Sequence, residues 1–139
     1  MKNRTVVFSM LLCLVSARPL FAQAVTIQPT KAEFTASADH NTVVTGTTTP
    51  ILTNYTISVQ AAATQVLAPV SIGKPTPDGT NTISVPLSTI AGFLGLPKNT
   101  VYTAIVGAVG PAGAVFSAAS NPFVFAPAPA APAGLVVKP

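Results

Sequence analysis

From residue 25 onward, apolar and polar positions alternate in short runs separated by turn residues. The cleanest run is 51–60, ILTNYTISVQ, where Tyr55, Ile57 and Val59 fall on one side and Thr56, Ser58 and Gln60 on the other. Period two puts alternate side chains on opposite faces of a strand, so this run predicts a strand with one buried and one wet face. The same reading gives strands at 25–29, with Val25 and Ile27 together, and at 32–36, with Ala32, Phe34 and Ala36 together. It also gives strands at 66–73 and at 83–87, where Ile83, Val85 and Leu87 alternate. Tyr102, Ala104, Val106 and Ala108 share a face of a further strand, and the last apolar pair is Phe123 and Phe125. Between these runs, 37–50 is polar, Thr-rich and centred on Gly46, which predicts a long loop with a short extra strand at Val43–Val44. Residues 74–79, KPTPDG, are a strong turn signal. The stretch 88–96 predicts a short helical turn capped by Ser88 before Pro97 redirects the chain. Regular turns between short strands predict an all-β sandwich of about seven antiparallel strands.

The first 24 residues break this pattern. Lys2 and Arg4 precede an apolar run from Val6 to Val15, and Ala22-Gln23-Ala24 places small residues where a signal peptidase reads. The segment 1–24 is therefore expected to be a signal peptide cut after Ala24, with the bond after Ala22 as the alternative. The run is too short to cross a bilayer, which takes about 18–20 residues, so no transmembrane segment is expected once it is gone. Secretion, to a periplasmic or extracellular space, is the expected destination. Removal also changes the charge. The whole chain carries seven Lys and Arg against three acids, but from Val25 on there are four lysines against three acids, a net +1, and no Arg. A nearly neutral domain has no electrostatic footprint for nucleic acid. Cys13, the only cysteine, lies in the leader behind Leu12, which does not suit a lipidation site. The remaining chain could form no disulfide. At the other end, 127–139 is rich in Ala-Pro units, a semi-rigid tail or linker.

One stretch carries more than a generic strand signal. In LPKNTVYTAIVGAVGPAGAVFSAASNPFVF, from Leu96 to Phe125, Leu96 and Thr100 stand six and two residues before Tyr102, and Gly110, Pro111 and Gly113 follow the strand. The spacing suits a tyrosine corner, in which the phenol bonds back to the backbone near Leu96. With the Tyr55 run, this resembles the C, F and G strands of a fibronectin type III domain, an immunoglobulin-like fold, of a secreted bacterial protein. The Trp usual in that family's second strand is absent, and Phe34 is the only large residue there. The resemblance covers 25–126 and implies that the loops 37–50 and 109–116 lie at one end of the sandwich. Asp39, His40 and Asn41 in one, with Gly110, Pro111 and Gly113 in the other, are then the candidate binding residues. If Tyr102 forms the corner and Tyr55 does not, Tyr102→Phe should be the costlier of the two hydroxyl deletions.

Catalytic chemistry has few candidates. His40 is the sole histidine, and although Asp39 is its neighbour, adjacent side chains on extended backbone diverge. The expectation is a solvated loop histidine. No second His and no Cys after the leader could complete a metal site. Asp78 belongs to its turn, the glycines of 107–113 lack a phosphate-loop Lys, and no GxSxG motif occurs. No cofactor and no enzymatic activity are expected. The expected role is a secreted module that binds a protein or a glycan through its loops; the alternative is a structural spacer or surface-assembly domain without a ligand of its own.

Overall fold

A computed structural model describes residues 23–130 and Ala133. Residues 1–22, which make up most of the signal peptide expected at 1–24, and most of the Ala-Pro tail expected at 127–139 lie outside the described residues. The described chain is all-β and contains no α-helix: β1 Thr26–Ile27, β2 Lys31–Thr35, β3 Asn54–Ala61, β4 Thr64–Gly73, β5 Thr82–Pro86, β6 Val101–Gly110, β7 Gly113–Phe116 and β8 Phe123–Val124. One sheet runs β1-β8-β6-β3-β4, with β7 also paired to β6; the other is the antiparallel pair β2-β5. All pairings are antiparallel except β1 with β8, which is parallel.

Both sheets feed one core. Tyr55, Ile57 and Val59 from β3 meet Ile83 and Val85 from β5, with Tyr102 and Phe123 alongside, and Ala32 and Phe34 of β2 pack against the same cluster. These are the alternating apolar positions of each run. Burying one such aliphatic or aromatic side chain contributes about 1.5–3 kcal/mol before the cost of ordering it. The other face of β3 is less wet than alternation implies: Ser58 is buried and Thr56 and Gln60 are half-buried. In β4, Leu67 and Val70 both reach the core although they are three residues apart. A bulge explains this, because Ile57 pairs Val70 while Val59 pairs Leu67, which leaves one extra residue at Ala68–Pro69. Proline there is tolerated because β4 is an edge.

Local details differ from the sequence reading. The first strand is only Thr26–Ile27 and joins β8, and Val25 and Ile27 are both exposed. Ser88 caps nothing: it lies inside a 3₁₀ turn, Leu87–Thr89, which follows Pro86 without any side-chain cap. A second such turn, Phe93–Gly95, drives Phe93 into the core, where its ring stacks on Phe123 and meets Phe125 edge-on. The final strand is broken into β7 and β8. Between them the Ser117 and Ser120 Oγ atoms accept the Val106 and Ala104 N–H groups, while their own N–H groups donate to the Val106 and Ala104 carbonyls. Serine hydroxyls thus replace the missing rungs.

Candidate functional site

The 37–50 loop is tied down along its length. Val43 bridges Pro50, Val44 N–H donates to Thr49 O, and Ile51 N–H donates to Thr42 O, which makes a small hairpin turning at Gly46. The chain then runs against the end of β6, where Thr53 N–H and Oγ1–H both donate to Val109 O. Gly110 is required at this crossing, since a Cβ on it would overlap the Ile51 carbonyl oxygen. On the other side, β6 turns through Pro111 and Ala112 into β7. The expected loop 109–116 is therefore only a two-residue tip, and Gly113–Phe116 is a strand.

Between these segments lies a cleft of about 290 Å³, lined mainly by Ser37, Asp39, Leu52, Val109, Gly113 and Val115. Its volume is at the small end of ligand pockets, which span about 300–1,000 Å³. Asp39, Gly110 and Gly113 are among the lining residues; His40, Asn41 and Pro111 are not. The lining is mostly apolar and opens to solvent at Val115, which is 77% exposed. Asp39 is the only charged residue of the lining. The cleft can take up a compact apolar group, with β7 offering an open strand edge beside it.

Comparison with protein-family models, with curated proteins and with solved structures gave no match.

His40 overturns its expectation. It is not solvated but 94% buried, at 6% exposure. Its ring stacks on Tyr55 with centroids 5.8 Å apart, and its Nδ1 lies 3.0 Å from Tyr55 Oη. The same oxygen accepts the Ser37 N–H at 3.0 Å, and Phe34 meets the Tyr55 ring edge-on. Burial, with repulsion from Lys74 in addition, holds the His40 pKa below its ordinary value. Asp39 points elsewhere; it is exposed, and its N–H donates to Ser37 Oγ. Nothing in the linear pattern marks this network, because its members are 15 and 18 residues apart and the partner is a core tyrosine.

Tyr102 lies at the far end of the molecule, eight residues before Gly110 along β6, about 26 Å at strand rise. Its hydroxyl donates to Pro97 O at 2.9 Å, one residue beyond Leu96, whose side chain is in the core. Asp78 serves its turn: its carboxylate accepts from Thr80 N–H, Thr80 Oγ1–H and Thr82 N–H. Those bonds, the Thr80 hydroxyl foremost, hold its pKa below the usual carboxylate value. Asn54, the first residue of β3 and the Asn of a formal glycosylation sequon, accepts from the Ser71 hydroxyl. Among the described residues, no three His, Cys, Asp or Glu side chains come together, and no helix is long and apolar enough to cross a membrane.

Proposed function

We propose that the chain is a secreted, non-catalytic module with an immunoglobulin-like, fibronectin type III-like sandwich fold, and that the cleft beside β7 binds an apolar side chain of a protein partner. Strand order supports the sandwich. The second and fifth strands pair in one sheet, while the third, the sixth and the split last strand pair in the other, as the B and E and the C, F and G strands do in such domains. The cleft itself carries the functional reading. It is formed where the 37–50 loop meets the β6–β7 hairpin, is lined mainly by apolar side chains and backbone, and opens to solvent at the exposed Val115. A protein side chain suits that lining better than a sugar, which needs more polar groups than Ser37 and Asp39.

Photo-crosslinking from a probe at Ala114, beside the cleft, tests this with material secreted by the host, alongside a glycan array. The expected result is a defined protein adduct that Val115→Asp abolishes. Because Val115 is exposed, that change should leave stability within about 0.5 kcal/mol. An array hit lost in the same variant would move the ligand class to glycans. Blanks in both arms would leave the spacer role.

A further inference from the structure

The 37–50 loop is pinned to the sheet by a histidine, and that contact can be read as a device. Tyr55 Oη accepts the Ser37 N–H and keeps one proton to donate, and His40 Nδ1 lies 3.0 Å away, where the neutral ring with its proton on Nε2 can accept it. We propose that the contact between His40 and Tyr55 is a pH-operated latch: with His40 neutral it docks the 37–50 loop on β3, and proton uptake releases the loop.

Among the described residues, no carboxylate pairs with the His40 ring. A proton on Nδ1 would face the phenol as a second donor and leave the Tyr55 hydroxyl proton without its acceptor. The groups near the ring are Tyr55 from β3, Lys74 just beyond β4, and Asp39 in its own loop. Lys74 repels an imidazolium. Asp39 is exposed and makes no hydrogen bond to His40 among the described residues. From β2 comes only the uncharged Phe34, against the tyrosine ring. A buried cation without a partner is costly, so the ring leaves its site when charged. Ser37 and Asp39 then move with it, and both line the cleft. Loop docking and cleft shape would therefore change together, whatever the cleft binds.

His40 is the sole histidine, so in untagged protein one imidazole resonance reports its titration without assignment. Proton NMR should place its pKa below the ordinary value of about 6.5. Amide exchange should show the Ser37 protection factor falling through the same pH range, by up to about tenfold per pH unit in the one-proton limit. The β3–β6 ladder should stay protected. His40→Gln should abolish the pH dependence of Ser37 protection, and Tyr55→Phe should move the His40 pKa back toward its ordinary value. An ordinary or raised His40 pKa overturns the latch. So does a lowered pKa with constant Ser37 protection, or loop release that persists in His40→Gln. The wild-type titration decides the matter even if either variant fails to fold.

Discussion

Two tyrosines, both nearly inaccessible to solvent, hold their hydroxyls in different ways, and this inverts the order of mutational cost expected from sequence. Tyr102 donates once, to Pro97 O. Tyr55 accepts from Ser37 N–H and faces His40 Nδ1, so its loss orphans two groups at once. Tyr55→Phe is expected to destabilise by about 2–3 kcal/mol and Tyr102→Phe by about 1 kcal/mol, since an unpartnered buried polar group costs about 1–3 kcal/mol. Urea melts of the two variants check the order. His40 adds a pH dependence of definite sign. Its folded pKa is below the unfolded value, so the native state holds fewer protons. The resulting stability is complete above the unfolded pKa of about 6.5 and is lost as pH falls through that value toward the folded one. Melts at pH 7.5 and 5.5 should show a lower urea midpoint at 5.5. Repeating both with His40→Gln should shrink the difference.

At the scale of elements, what the sequence showed clearly was where apolar alternation met a buried face. The runs around Tyr55, Ile83 and Tyr102 became β3, β5 and β6 because period two is imposed by the pleat itself. What stayed hidden depends on partners far away in the chain. The first strand's choice of β8 over β2, the insertion of Phe93 and the burial of His40 are tertiary events with no local period. The turn between β3 and β4 was hidden for another reason. Ala62 and Ala63 both adopt left-handed backbone, at φ 46° and 65°, in a two-residue hairpin where Asn-Gly is the usual signal. An L-residue with a Cβ there costs roughly 1–2 kcal/mol. Replacing the pair with Asn-Gly should therefore stabilise the chain by about 1–2 kcal/mol, seen as a raised urea midpoint with an unchanged slope. Of the cleft, the sequence offered the two segments and the three lining residues Asp39, Gly110 and Gly113. The Gly110–Ile51 crossing that brings the segments together was beyond it.

For the whole molecule, the proposed export has a plain chemical signature. Material recovered outside the cell should begin at Val25 or Gln23 by intact mass, and it should unfold with the same midpoint with and without reductant because Cys13 has gone. The parallel junction of β1 with β8 has a mechanical consequence. Strands running in the same direction, one near the start of the described chain and one near its end, lie in shear when those ends are pulled apart. That junction joins only two residue pairs, Thr26 with Phe123 and Ile27 with Val124; its bonds include Thr26 N–H to Pro122 O and Gln28 N–H to Val124 O, helped by Asn121 Nδ2–H to Thr26 Oγ1. So few pairs loaded together make a weak fuse, whereas β3 and β6 share seven residue pairs. Under tension β1 would detach first and lengthen the tether, while the sheet that carries the cleft stays folded.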